Sequence, residues 1–441
     1  MRALVAGRAR RVGSLGMWRA GERRVPERAW AVIAGGGTGG HVYPGLALAS
    51  ELVRRGHDPA TLRFVGSKRG LEAKTDVTGG FPTTLLPGRG WRRGPLASSG
   101  LVNAQALFDA AAAVVLAGGL FAKWKPAVVV SFGGYASFPC VVAAALFGAP
   151  VVVVNLDSVP GLVNRWAARM AAACAEGVPG APRPRTAARA AESVFTGVPV
   201  RAEMATIDRS PAGRRRARER LGVPPDATLV AVSGGSLGSL RVNQATAELA
   251  QLWARRAGVA VRHVVGKRDW PRFAHPARPA GGLLYQVVEY EEDMASLYAA
   301  ADVAVQRAGA STVAELALAG LPSLLVPLPG SPGDHQGANA QALARAGGAV
   351  VVPDAELDGA RLASELEALL GDPARLSEMS AAAKSLARPY AARDLADLVE
   401  RCARGAPSSE PATEKPAAEK PATEKPAREK PATEKVVPRA G

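Results

Sequence analysis

Short runs rich in Val and Ile alternate with longer alanine-rich stretches of helical character from residue 30 to about residue 195. The runs at 30–33, 61–65 and 151–154 have the length and β-branched content of strands buried on both faces. This alternation is the α/β pattern, in which parallel strands are joined through right-handed crossovers. The theme restarts near residue 229, with strands expected at 229–232, 262–265, 286–288, 303–306 and 323–326. Two sheets of the same kind therefore follow one another, with a linker expected at Val198, Pro199, Val200 and Arg201.

Residues 131–156 carry no charge over a length sufficient to cross a bilayer, and they are the one segment that reads as a mimic of a membrane span. Gly133, Gly134, Pro139 and the turn Gly148, Ala149, Pro150 divide it into a strand end, a short buried helix and a second buried strand. It is read as the core of a parallel sheet.

The 441 residues exceed the size at which a single core keeps growing, so two domains with tails are expected, and an apolar content of 48% supports two cores. Residues 411–435 repeat a five-residue unit, PATEK with PAAEK and PAREK variants. Its charges nearly cancel and it has no large apolar residue, so it is expected to be an extended, disordered tether. The net charge of +16 implies an anionic partner. No nucleic-acid-binding module is recognisable, which leaves a phosphorylated substrate or an acidic membrane surface. Much of the excess lies in residues 2–28 and in Arg214, Arg215, Arg216, Arg218 and Arg220, the latter read as a solvated helix face. Cys140, Cys174 and Cys402 are far apart and form no C-x-x-C pair, so neither a disulfide framework nor a zinc site is indicated and a cytosolic setting is expected. The basic head has no apolar core of signal-peptide type.

The chemistry concentrates where strand meets helix. Residues 34–44, AGGGTGGHVYP, read as strand, glycine loop and helix, a geometry that aims backbone amides at an anion. Gly35, Gly37 and Gly40 satisfy a loose G-x-G-x-x-G, but a dinucleotide site needs an acidic residue about 20 positions on, and the second strand ends instead in Gly66, Ser67 and Lys68. His41 places a titratable imidazole directly after the glycines, as a base beside bound phosphates or as a simple helix cap. A second glycine loop, SGGSLGS at 233–239, stands in the same relation to the second sheet. No Asp-x-Asp pattern occurs, so no metal clamp on a diphosphate is expected.

GGGTGGHVYPGLALA, SFGGYASFP at 131–139, PGLVNR at 160–165, GVPVR at 197–201, SGGSLGS with Asn243, RAGASTVAE and DHQGANA together resemble the MurG family, in order and spacing, from residue 30 to about 400. The resemblance implies a GT-B glycosyltransferase fold, two Rossmann-like domains facing a cleft. It implies inverting transfer of N-acetylglucosamine from UDP-N-acetylglucosamine to the muramoyl 4-hydroxyl of lipid I, with no cofactor, at the cytoplasmic face of the membrane. His41 would be the base. Thr38, Gly39, Gly40, Asp157, Arg201, Ser236, Glu291, Gln336 and the run Ala310, Ser311, Thr312, Val313, Ala314 and Glu315 would bind the donor. Glu315 would take the ribose and Gln336 the sugar, with Glu291 at uracil through its backbone. Gly36, Gly37, Tyr43, Gly133, Gly134 and Tyr135 would face the acceptor. The expected parts are a basic extension at 1–28, an acceptor and membrane domain at 29–197, a UDP-sugar domain at 198–385, a helix at 386–405 that can pack back on the first domain, and the tail at 406–441. Residues 85–96, with Arg89, Trp91, Arg92 and Arg93 among leucines and glycines, suit an anionic membrane surface.

One departure stands out. Where the family reads His-Glu-Gln-Asn before PGLxNR, this chain has Val154, Asn155, Leu156 and Asp157. Either acid and amide have exchanged places, or a different donor or acceptor is read. Transfer to another lipid, a UDP-sugar epimerase activity and a non-catalytic scaffold that binds nucleotide sugar are the competing readings.

Overall fold

The computed structural model describes residues 27–36, 39–68, 78–88, 96–178, 192–235, 238–273 and 282–405, with side chains of the long helix from Gln105 onward. The first half runs β1 (Ala31–Gly35), α1 (Gly39–Arg54), β2 (Leu62–Ser67), β3 (Thr83–Leu86), α2 (Leu96–Trp124) and β4 (Val128–Gly133). It continues with α3 (Phe138–Phe147), β5 (Val151–Asn155), α4 (Leu162–Ala167), β6 (Ala173–Glu176) and β7 (Glu192–Phe195). All strands are parallel, in the order β3-β2-β1-β4-β5-β6-β7.

The second half opens with α5 (Ala202–Ala205), α6 (Pro211–Leu221), β8 (Thr228–Ser233), α7 (Leu240–Leu252) and β9 (Val259–Val264). After α8 (Trp270–Phe273) come β10 (Leu284–Val288), α9 (Met294–Ala300), β11 (Val303–Gln306), α10 (Ala310–Ala319), β12 (Ser323–Leu325), α11 (His335–Arg345) and β13 (Ala349–Val351). These strands form a second parallel sheet, β10-β9-β8-β11-β12-β13. Helices α12 (Gly359–Leu370), α13 (Pro373–Ser385) and α14 (Ala391–Ala403) complete the described chain.

Strand order dictates where a ligand can sit. In the first sheet the chain winds outward from β1 through β2 and β3, then crosses to β4 on the other side. The loops after β1 and β4 therefore diverge and leave a crevice at the carboxyl ends of those strands. In the second sheet β8 and β11 stand in the same relation, so the crevice lies between the loops at 233–239 and 307–310. Both glycine loops read from the sequence fall at these switch points.

Both faces of each sheet are covered, as uninterrupted Val runs require. Ile33, Val130, Phe132 and Val154 pack under Leu48 and Leu52 of α1 and under Leu395, Leu398 and Val399 of α14. On the opposite face Val32, Val129 and Val153 meet Ala113, Ala117 and Phe121 of α2 and Val141 and Ala144 of α3. The last helix thus returns to the first sheet. Arg55 at the end of α1 holds Asp397 at 2.5 Å and Glu400 at 3.2 Å, and His57 Nε2 lies 3.0 Å from Glu400.

Two readings of the sequence need correction. The arginines of α6 are not simply a solvated face, because Arg218 is buried. Arg214 and Arg218 both grip Asp302 at the start of β11, Arg218 at 2.9 Å, which fastens α6 to the second sheet. The segment at 131–156 is cut into β4, α3 and β5, but it is not the one that mimics a span. Among the described residues, 105–124 of α2 form the helix long and apolar enough to cross a membrane, masked in the sequence by Asp109 and Lys123. One stripe of α2, formed by Ala106, Ala113, Ala117, Phe121 and Trp124, is buried, while Leu107, Phe108, Val115 and Leu116 are exposed.

Candidate functional site

His41 lies in the first turn of α1, at the switch point of the first sheet. Its Nδ1 is 3.1 Å from the Gly36 carbonyl oxygen. A carbonyl only accepts, so Nδ1 carries a proton, and in the neutral ring the lone pair is therefore on Nε2. Gly134, with φ of 78°, lies across the crevice in the loop after β4. A Cβ there would stand 3.0 Å from the Gly36 carbonyl and 3.6 Å from His41 Nδ1. The two loops therefore leave no room for a side chain at this point of the crevice, and the glycine is required by both conformation and space. At Gly133 a Cβ would fall 2.9 Å from Asn164 Oδ1, and at Gly88 one would fall 3.0 Å from the Tyr135 ring. The proposed acceptor residues Gly36, Gly133, Gly134 and Tyr135 thus line one rim with His41, and the helix begins at Gly39 and Gly40. Gly37, Thr38 and Ser236 lie outside the described residues, as do Arg89, Trp91, Arg92 and Arg93, residues 1–26 and the repeat tail.

The opposite wall is built by α10. Its N-cap, Gly309, offers no side chain, so the first amides are unbonded within the helix. The Ser311 hydroxyl oxygen is buried without a protein partner, an orphan that a diphosphate oxygen would satisfy. Ala310 and Ala314 pack against the first domain's core, which brings the starts of α10 and α1 together. Thr312 and Val313 continue the same turn. Five residues into the helix, Glu315 sits recessed beside Tyr298, and burial lifts its carboxyl to about 7, against the attraction of Arg201 and the polar contact with the Tyr298 hydroxyl. Tyr298 is fully buried and donates to Gln306 Oε1 at 3.0 Å. The Gln306 amide nitrogen is a second buried group without a protein partner.

Arg201 joins the two walls. It caps α5, its charge reaches Glu315, and its guanidinium lies 5.2 Å from the Tyr43 ring centroid. Tyr43, a proposed acceptor residue, also meets the second domain, its hydroxyl 3.1 Å from that of Tyr290. Beside Tyr290, the Glu291 side chain turns inward to Arg262 at 2.7 Å and accepts the Asp293 amide at 3.1 Å, leaving its backbone for a ligand. The Gln336 carbonyl oxygen accepts the Leu328 amide at 3.0 Å and the Ala308 amide at 3.3 Å. Its NH2 group points its two donors elsewhere, as a sugar-binding amide requires.

Asn155 and Asp157 occupy separate networks, which overturns the idea that they exchanged roles. Asn155 is buried at the end of β5 and donates to Glu176 Oε1 at 3.1 Å, while accepting from Asn164 at 3.0 Å. The parallel register pairs Asn155 with Glu176, so the carboxylate absent from β5 is present one strand over on β6. Asp157 reaches the second domain instead. His335 Nδ1 lies 2.9 Å from its Oδ1 and Asn339 Nδ2 donates to the same oxygen at 2.9 Å. His335, Asn339 and the nearby charge of His41 hold the Asp157 carboxyl low despite burial.

Sequence reading missed Tyr290, Tyr298, Gln306, His335, Asn339 and Glu176. His335 and Asn339 sit inside the quoted DHQGANA, so a signal was present. The others carry no local signature, because their roles arise from pairing between strands and across the cleft.

Two parallel-sheet domains with switch-point crevices opening on one cleft make this a GT-B glycosyltransferase. Residues 31–176 match the glycosyltransferase family 28 N-terminal domain and residues 229–398 its C-terminal domain. The chain belongs to the MurG family. It is 37% identical over 383 residues to the UDP-N-acetylglucosamine--N-acetylmuramyl-(pentapeptide) pyrophosphoryl-undecaprenol N-acetylglucosamine transferase of Desulforudis audaxviator, covering 84% of this chain and 98% of that one. The enzyme of the same description from Streptomyces coelicolor is 37% identical, with 83% and 95% covered. The crystal structure of Acinetobacter baumannii MurG superposes with a TM-score of 0.63 at 27% identity, over 85% of this chain and all of that one. A UDP-N-acetylglucosamine 2-epimerase structure shares the fold alone, at 16% identity and a TM-score of 0.55 over 87% of this chain and 98% of that one.

Proposed function

We propose that this enzyme transfers N-acetylglucosamine from UDP-N-acetylglucosamine to the muramoyl 4-hydroxyl of lipid I, giving lipid II for peptidoglycan, in one inverting displacement. The observation that carries the reading is the meeting of two helix starts across the cleft, α1 with His41 and α10 with its open amides, Ser311 and Glu315. His41 Nε2 accepts the proton of the 4-hydroxyl as that oxygen forms its bond to the anomeric carbon. The bond from the anomeric carbon to the UDP oxygen breaks on the opposite face, and its electron pair leaves with UDP. Free amides at the start of α10 and the Ser311 hydroxyl receive the diphosphate charge, so the departing group needs no side-chain cation at that point. Glu315 accepts the ribose hydroxyls, and Gln336 donates to the sugar.

The lipid acceptor places the enzyme at a membrane surface on this reading. Leu107, Phe108, Val115 and Leu116 of α2 are exposed, and Leu146 and Phe147 at the end of α3 extend the patch, with Phe147 reaching to 4.0 Å of the Cβ position at Gly118. An apolar face with one buried stripe suits a helix lying on a bilayer rather than crossing it. The deciding experiment is UDP release from UDP-N-acetylglucosamine with and without a lipid I analogue. Release that depends on that acceptor is expected. Release with diacylglycerol instead, epimerised product without acceptor, or nucleotide binding with no turnover would replace the reading by one of its rivals.

A further inference from the structure

Residues 157–159 leave the first sheet after β5 and dock on the start of α11, the helix whose second residue is Gln336. Three contacts hold them there. Asn339 Nδ2 donates to Asp157 Oδ1 at 2.9 Å, Asn339 Oδ1 accepts the Ser158 amide at 2.9 Å, and His335 Nδ1 stands 2.9 Å from Asp157 Oδ1. Val159 closes the edge, with its Cγ1 3.2 Å from the Cβ position at Gly333. Asn339 is buried and also donates to the Ala308 carbonyl at 3.2 Å, which ties the contact to the loop before α10. The bridge therefore crosses from one domain to the other beside the residue assigned to the donor sugar.

The geometry points to Asp157, His335 and Asn339 as an interdomain clamp that closes the sugar end of the donor site and grips most tightly while His335 is protonated. This rests on the reading of the cleft as a UDP-sugar site. His335 and Asn339 are positioning residues, acting through Asp157 and through α11. The groups facing the pair are few among the described residues. Asp157 faces His335 and Asn339 from α11 and senses the charge of His41 from α1, while His335 faces Asp157 and its neighbour Asp334. The hydrogen bond and charge of Asp157 raise His335 above its ordinary value, so the charged pair is complete below that raised value and is lost as pH rises through it. A neutral imidazole can still donate its Nδ1–H to the carboxylate, but only the protonated ring adds the charge attraction, so the bridge tightens when His335 is protonated.

Glu315 also titrates near neutrality, but it serves the ribose and so affects UDP and UDP-N-acetylglucosamine alike. The ratio of the two affinities isolates the sugar end. Calorimetry from pH 6 to 9.5 on the intact enzyme is expected to show the preference for UDP-N-acetylglucosamine over UDP falling about five- to tenfold with rising pH, the scale of one ordinary net hydrogen bond. In His335→Gln and in Asp157→Asn the ratio should be flat across that range. A flat ratio in the unaltered enzyme, a ratio that rises with pH, or an unchanged fall in His335→Gln would overturn the clamp. Loss of acceptor-dependent UDP release with the pH-dependent ratio intact would count against lipid I as acceptor and leave the clamp standing.

Discussion

With its Nδ1 proton engaged by the Gly36 carbonyl, His41 presents Nε2 as the acceptor. His41→Ala is expected to lower kcat by about 10² to 10⁴ with the fold intact, the usual range for general base catalysis. Near-normal turnover by the purified variant would end the assignment. Glu315 carries a pH signature. Its carboxyl, ordinarily near 4.5, is lifted to about 7 by burial. Between those values the folded chain binds a proton that the unfolded chain has already lost, so Glu315 removes stability as pH rises through that window. Ribose hydroxyls donate to the ionised form, so UDP binding should release a proton near pH 7 and none above roughly pH 9. Calorimetry in buffers of different ionisation heat reads this directly. Glu315→Gln should abolish the release and weaken UDP by about 1.5 to 3 kcal/mol, as for a lost hydrogen bond to a charged group. Asn155→Glu, which restores the family's residue, should lower stability and activity because it sets a second carboxylate against Glu176. Adding Glu176→Gln should recover most of both, and purely additive losses in thermal melts and kcat would contradict that coupling.

At the scale of elements, the site is made by loops that the strand order forces apart and then fills with glycine. Gly134→Ala tests this. The new Cβ would need φ of 78° and would stand 3.0 Å from the Gly36 carbonyl that orients His41. A left-handed alanine costs about 1 to 2 kcal/mol, so the protein should still fold, with a Tm lowered by a few degrees. Its kcat should fall disproportionately while UDP affinity is kept, since the donor wall is untouched. Equal damage to UDP binding would mean that the loop after β4 does more than hold His41. The strands near 229–232, 303–306 and 323–326 were legible because buried parallel strands are continuous Val and Leu runs. The partners of Asp302 were not, because an arginine-rich helix looks the same in sequence whether its charges face water or a buried aspartate.

Over the whole molecule, α14 binds the end of the second domain's chain to the first sheet, and α2 leaves an apolar face uncovered. Phe108→Glu with Val115→Glu changes only exposed positions and should leave folding and UDP binding unaltered. Binding to anionic vesicles in sedimentation should fall about tenfold or more, since burying one such side chain contributes roughly 1.5 to 3 kcal/mol. If binding is unaffected and is lost instead with Trp91→Ala or on removing the repeat tail, the membrane contact lies in those segments.

Local chemistry made much of this enzyme readable from residue order alone. Glycine loops at strand ends, uninterrupted apolar strands and a histidine after the first loop report interactions that span a few residues, and those are encoded where they act. The two-domain plan and the position of both loops belong to that class, while the proposed roles of Glu315 and Gln336 came through the family resemblance of their motifs. Asn155 beside Glu176, Asp157 against His335 and Asn339, Tyr43 against Tyr290 and the Glu315, Tyr298 and Gln306 network do not. Each joins side chains from different strands or different domains, and their meeting depends on sheet register and on how the cleft closes. Burial follows the same logic. The charge of Arg218 and the proton of Glu315 are set by what packs around them, which no short stretch of sequence carries.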